Sequence, residues 1–317
     1  MKVIAKILLI ALIVFLARPA GAYVTSRIVS SMQQTVQLKW AGFPIQWQIN
    51  PARGANVTGA RDQADVFRAA FAAWQAVPTA TINFTEGAAT AATVTRGFDQ
   101  INVISTNVTA ADYASSAVGR TFTVFFDQDN VVDQFGRNVD FAGQIVEADI
   151  LFNPASLFST DTTPVAGRFD LQSVATHEIG HLLGLDHTSI TSSVMFPTVT
   201  TGSSYARTLS VDEIAGVSTI YPSAAFAGRG SLSGTVRTTA NATVYGAIVT
   251  AVNANGQPVA SAITNPQGQY TIQGLEAGTY TIYAEPMDQP LQIGNLPTLT
   301  TIFPGSVVQT NFITRFR

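Results

Sequence analysis

The chain has 317 residues, of which 46% are hydrophobic and 12% charged, enough apolar material for two domains with buried cores and too much for general disorder. Its net charge of −3 offers no basic surface, so no nucleic-acid partner is expected. Because cysteine is absent, disulfides, thiolate metal sites and thiol nucleophiles are excluded, and any metal must be held by His or carboxylate.

Residues 1–22 read as an export signal. Lys2 and Lys6 precede the apolar run Ile7 to Leu16, and Ala20-Gly21-Ala22 offers the small residues of a cleavage site. A bilayer span takes about 20 apolar residues, and Pro19 and Gly21 interrupt this run early. The expected product is therefore secreted, with no membrane contact after signal cleavage. Removal of the signal takes away three of the 17 basic residues and none of the 20 acidic ones, moving the charge from −3 to −6.

A half-buried strand is expected where Phe43, Ile45, Trp47 and Ile49 alternate with polar Gln46 and Gln48. A helix follows, with Phe67, Ala70, Phe71, Trp74 and Val77 on one stripe and Pro78 stopping it. Short strands are expected at 101–104, 122–126 and 145–152. In the last, Val146, Ala148, Ile150 and Phe152 share a face opposite Glu147 and Asp149. A second helix should start at Leu171 with Asp170 as N-cap. A third should start at Val211, where Ser210 and Glu213 form a capping box and Ile214, Val217 and Tyr221 an apolar stripe. Strands and helices out of strict alternation predict a mixed α/β domain over 38–222. Residues 223–229, rich in Ala and Gly, read as an exposed linker across which few contacts should pass. From 230 to 317 short alternating runs and recurrent turn signals predict an all-β sandwich, with Ile248, Val252, Tyr270, Ile272, Tyr280 and Ile282 facing inward.

All three histidines of the chain fall in the eleven residues His177-Glu178-Ile179-Gly180-His181-Leu182-Leu183-Gly184-Leu185-Asp186-His187. Positions i and i+4 of a helix lie one turn apart on one face, so His177 and His181 can present two ring nitrogens to one ion. Gly184 can end the helix in the left-handed conformation and let the chain return with His187 as third ligand. Three imidazoles leave a fourth position free, the arrangement of a catalytic zinc. Glu178 adjoins the first ligand and is the candidate general base. The competing reading, an ordinary helix with scattered histidines, does not account for three of them beside a turn glycine and an acid. Nickel, cobalt or iron would also suit the nitrogens, but hydrolysis without a redox partner favours zinc.

These eleven residues match H-E-x-x-H-x-x-G-x-x-H, and Ser193-Val194-Met195-Phe196-Pro197 resembles a Met-turn. The segment 38–222 thus resembles the metzincin metalloproteases. Leu185-Asp186-His187-Thr188 and the stretch Leu209 to Gly216 make it most similar to the matrixins, including bacterial ones. Pro197 stands where astacins and serralysins place a metal-associated tyrosine. The resemblance implies an α+β metzincin catalytic domain, a mixed twisted sheet with a long active-site helix, followed by the all-β sandwich. It implies a zinc metalloendopeptidase acting on protein or peptide substrates, with Met195 as the apolar floor beneath one catalytic zinc. No histidine remains for the second, structural zinc of vertebrate matrixins, and no cysteine for their inhibitory propeptide. The acidic loop Asp127, Asp129, Asn130 and Asp133 lacks the ligand and glycine of an EF-hand loop, with Val131 and Val132 there instead. The resemblance leaves calcium possible there, as in family members, but the loop's residues do not support it and a solvated turn is the expectation.

Gly230 to Glu285 resembles carboxypeptidase-regulatory-like modules through Gly234-Thr235-Val236, Val244 to Val252, Gly268 to Ile272 and Gly278-Thr279-Tyr280. It carries no catalytic constellation and is expected to act as a spacer, a stabiliser or a binding module for a surface or polymer. The alternative to a protease is a surface-binding or matrix-binding protein in which the metal domain is secondary. Glu178 argues against it, since a structural zinc site needs no base.

Overall fold

The computed structural model describes residues 25–92, 98–113, 115–287, 291, 293–296, 299, 302–303 and 305–316, so the expected export signal at 1–22 lies outside the described residues. Among the described residues no helix is long and apolar enough to cross a membrane.

The first half builds one sheet from β1 (Lys39–Trp40), β2 (Ile45–Ile49), β3 (Phe84–Glu86), β4 (Val103–Ser105), β5 (Gly119–Phe125) and β6 (Gln144–Phe152). β2, β3, β4 and β6 run parallel in the order β3-β2-β4-β6, β1 lies parallel beside the start of β6, and β5 pairs antiparallel along β6. Ile45, Trp47 and Ile49 are buried in alternation with Gln46 and Gln48, because one face of β2 meets the helices. In β6 both faces are covered. Glu147 and Asp149 are buried there and serve as acceptors. Glu147 takes the backbone N–H groups of Asp99 and Gln100, and Asp149 that of Val103.

Two helices pack with this sheet, α1 (Gln63–Gln75) and α2 (Leu171–Leu182), and a third, α3 (Val211–Ile220), adds Val217 and Ile220 to the same core. Asp62 caps α1 by accepting from Ala64 N, and Phe67, Ala70, Phe71 and Trp74 line its buried face. Phe67 and Phe71 each contribute about 1.5–3 kcal/mol on burial. Asp170 caps α2 through Ser173 N at 2.8 Å, and Leu171, Ala175, Ile179 and Leu182 form its core face. Trp74 Nε1 donates to Thr176 O at 2.9 Å inside the protein, fixing α1 against α2. The α3 capping box of Ser210 and Glu213 is formed. Tyr221, at the end of α3, donates its hydroxyl to Leu183 O at 2.9 Å and so holds the end of α2.

The second half contains β7 (Gly230–Thr235), β8 (Ile248–Asn253), β9 (Pro258–Ile263), β10 (Gln269–Leu275), β11 (Tyr280–Glu285) and β12 (Arg315–Phe316). β7 pairs with β10, and β9-β8-β11-β12 form the second sheet, all pairs antiparallel. Ile272, Tyr270, Tyr280 and Ile282 pack in the sandwich core as expected, but on β8 the inward residues are Val249 and Ala251. Ile248 faces the opposite side, where Met287, Leu291, Leu296 and Leu299 cover it. The expectation of an inward Ile248 and Val252 fails because β8 is apolar on both faces. The tail after β11 supplies a second cover, which removes the polar alternation that would have set the parity.

The joint between the halves also differs from the expectation of few crossing contacts. Residues Ala224–Gly228 form an exposed 3-10 turn, after which the sandwich folds back onto α3. Ala215 of α3 belongs to the sandwich core cluster. Asp212 Oδ1 accepts from Ser261 N at 3.0 Å, and Thr188 Oγ1 lies 3.2 Å from Ser261 Oγ. Composition marks a segment as exposed. It carries no information about what the flanking domains do with their faces.

Candidate metal centre

His177 and His181 lie on α2 one turn apart, on the side away from its core face. The helix stops immediately after them. Gly184 N–H donates to His181 O at 2.9 Å and Leu185 N–H to Gly180 O at 3.0 Å, the paired bonds of a Schellman end. This end needs a left-handed residue at position 184, and Gly184 has φ +90°. Its α-carbon also sits against Leu38 O, where a side chain would collide with backbone. The reversed chain then brings His187 back toward the helix.

The ligand atoms offered by His177, His181 and His187 all lie within 4.8 Å of one another. Each Nδ1 faces a backbone carbonyl: Val194 O at 2.7 Å from His177, Leu185 O at 2.9 Å from His181, and Asn295 O at 2.8 Å from His187. A carbonyl only accepts, so each ring donates through Nδ1–H and leaves the Nε2 lone pair for an ion. Burial, together with the neighbouring His187 ring, pushes His177 down to about 3. Burial and both neighbouring rings hold His181 well below its ordinary value. Neutral imidazoles are the form that binds metal. Among the described residues this is the one group of three or more His, Cys, Asp or Glu side chains placed to share an ion.

Glu178 is buried beside the triad, and burial pushes its carboxyl up to about 7 against the hydrogen bond from Thr121. Thr121 Oγ1 lies 2.7 Å from Glu178 Oε2. Gly119 leaves room for this carboxylate, since a Cβ there would lie 2.5 Å from Glu178 Oε1. Both residues belong to β5, which pairs only with β6, so its other edge carries no strand among the described residues. That edge, the triad and the segment Phe196 to Val199 line a cleft of about 670 Å³.

Met195 is buried against α2 at Gly180. A side chain at Gly180 would run into the Met195 sulfur, so the glycine between the first two histidines allows the methionine to approach α2. Met195 N–H donates to Glu213 Oε1 at 3.1 Å, which joins this turn to the capping box of α3. Two carboxylates of the acidic loop are engaged by protein donors. Asp133 accepts from Phe135 N, Arg137 N and Arg137 Nε at 2.8, 2.9 and 2.8 Å, and Asp129 from Ala142 N at 2.6 Å. Thr121 and Asn295 lie outside the motif and were not expected from it. The first is a strand hydroxyl 57 residues away from Glu178. The second acts through a carbonyl, which every residue carries.

The matrixin family model matches residues 39–222, and that of the carboxypeptidase regulatory-like domain matches 231–288. Among curated proteins the chain is similar to metalloendoproteinase 2-MMP of Arabidopsis thaliana, 49% identical over 57 residues, 18% of this chain and 15% of that protein. It is similar to metalloendoproteinase 1 of Glycine max, 44% identical over 59 residues, 19% of each chain. Matrilysin of Rattus norvegicus is 52% identical over 48 residues, 15% of this chain and 18% of that protein. The chain thus spans less than a fifth of the length of these relatives.

Proposed function

The chain belongs to the matrixin family, and from that premise we propose that it is a zinc-dependent endopeptidase in which Glu178 is the general base. The observation that carries this reading is the convergence of three carbonyl-pinned imidazoles beside a buried carboxylate on the wall of an open cleft. The donor set fits zinc: three nitrogens on one side and a fourth direction facing the cleft. Zinc held by His177, His181 and His187 supplies a Lewis acid that polarises a peptide carbonyl and acidifies water.

The protein's own residues do the rest. Glu178 accepts the proton of the attacking water and passes it to the leaving amine, and Thr121 holds the carboxylate toward the cleft. An extended peptide has a partner in the free edge of β5, whose backbone groups bind main chain without regard to sequence. Met195 keeps the floor beneath the triad apolar, excluding water from the side of the ligands that faces the core. Export rests on the sequence of residues 1–22 and is tested by N-terminal sequencing of protein recovered from the medium, which should begin at Tyr23.

Glu178→Gln should retain one zinc per chain and a native fold while peptide hydrolysis falls by about 10²- to 10⁴-fold. Elemental analysis, circular dichroism and turnover of an unstructured peptide measure the three quantities. Near-normal turnover in this variant would remove the assigned role. Chelation should abolish activity in the parent protein and added zinc should restore it.

A further inference from the structure

We propose that the C-terminal domain completes the metal centre: the backbone carbonyl of Asn295 orients the His187 ring and makes it a competent third ligand. This inference rests on the reading of the triad as a zinc site and adds a positioning residue from the other domain.

The three rings are held in unequal ways. His177 and His181 stand on α2, and their Nδ1 acceptors, Val194 O and Leu185 O, belong to the catalytic half. His187 lies past the helix end, in the turn after Gly184, with no helical geometry to aim its ring. Its Nδ1 acceptor is Asn295 O, 108 residues further along the chain. The adjacent Asp186 does not substitute, because its Oδ1 lies 4.0 Å from His187 Nδ1 and takes the His187 backbone N–H at 2.8 Å instead. A separation of 4.0 Å is beyond hydrogen-bond range. The carbonyl of Asn295 therefore fixes both the tautomer and the rotation that turn Nε2 toward the other two rings.

Asn295 is itself held in place. It ends the 3-10 turn Ile293–Asn295, flanked by Leu291 and Leu296, which are 1% and 0% exposed and pack with Ile248 and Ile263 on the outer side of the sandwich. Leu296 N–H closes the turn on Ile293 O at 3.0 Å. The sandwich is registered on the catalytic half next to the ligand, through Ser261 to Thr188 and Asp212. Thr188 directly follows His187, so the same docking that seats the sandwich positions both the ligand's backbone and its ring.

The test uses the full chain loaded with zinc. Leu296→Ala empties the anchor of the turn, and Leu296→Met restores its volume. A second variant inserts two glycines between Gly294 and Asn295, an exposed place where a side chain at Gly294 would meet nothing within 4 Å, so the carbonyl moves while the leucine anchors remain. Zinc affinity is read by competition with a chromophoric chelator, and the three ring Nδ1–H signals by ¹H–¹⁵N NMR. In Leu296→Ala and in the insertion variant, affinity should fall about 10- to 100-fold, the usual cost of losing a ligand's hydrogen-bond partner. The His187 Nδ1–H should exchange with water faster while those of His177 and His181 stay as in the parent. Leu296→Met should recover both readouts. Unchanged affinity with three unchanged signals would overturn the proposal, and so would equal loosening of all three rings, the mark of general destabilisation. A parent chain that binds no zinc would instead overturn the metal-centre reading beneath it.

Discussion

The hydroxyl of Thr121 has one proton and two acceptors on the same residue, Glu178 Oε2 at 2.7 Å and Glu178 O at 2.9 Å. It therefore ties the proposed base to both β5 and α2. Thr121→Val keeps the shape and removes the donor. A hydrogen bond to a charged group contributes about 1.5–3 kcal/mol, so kcat/KM for a short peptide should fall roughly 10- to 100-fold. Zinc content should not change, and Thr121→Ser should recover most of the activity. Equal activity in the valine variant would show that burial alone places the carboxylate. At this scale the sequence discloses what local geometry converts into position. A spacing of four on a helix puts His177 and His181 on one face, and a glycine at the helix end permits the reversal to His187. It does not disclose partners that meet only in the fold. Thr121 looks like any β-branched strand residue, and Val194, Leu185 and Asn295 contribute carbonyls that carry no residue-specific mark.

The helix α3 shows the same division at the next scale. Its capping box and apolar stripe are readable as Ser210, Glu213, Ile214, Val217 and Tyr221, because these signals are local. Its second role is not readable, since Glu213 also accepts from Met195 N and Asp212 from Ser261 N. Asp212 is buried under the sandwich, and burial, with the charge of Glu213, holds its carboxyl well above the ordinary range despite hydrogen bonds from Thr188 and Ser261. The native state then keeps a proton that the unfolded chain releases near pH 4. The stability linked to this group is complete below that pH and is lost as pH rises through the folded value. Asp212→Asn retains the acceptor for Ser261 and cannot ionise, so its stability relative to the parent should grow with pH from about 4 upward. Urea midpoints of both proteins between pH 5 and 8 measure this, with the histidine contributions cancelling in the difference. Parallel curves would mean that Asp212 titrates in the usual range. On β8, by contrast, even the local signal misleads. Alternation predicts the inward face only where one face is wet, and both faces of this strand are covered.

Across the whole molecule, the composition of residues 223–229 invites a picture of two independent units, with a chain ending near Ser223 expected to stand alone. The fold argues for coupling. Cutting there would uncover Ala215, which packs with Val249, Ala260 and Leu275 of the sandwich, and would leave the Asp212 carboxyl without Ser261 N. It would also remove Asn295 from His187. Two domains that share a buried face and a hydrogen-bond network unfold together when the interface free energy is comparable to the stability of the weaker one. The full zinc-loaded chain should therefore melt in one calorimetric transition. Ala215→Glu is the informative perturbation, because glutamate is a good helix former and leaves α3 intact, while a carboxylate placed unpaired in the sandwich core costs several kcal/mol. That cost falls on the interface alone, so the variant should resolve into two transitions, the upper one responding to zinc and the lower one not. If the parent already melts in two steps, and Ala215→Glu moves neither, the domains are mechanically separate and the contacts at α3 contribute little to holding the protein together.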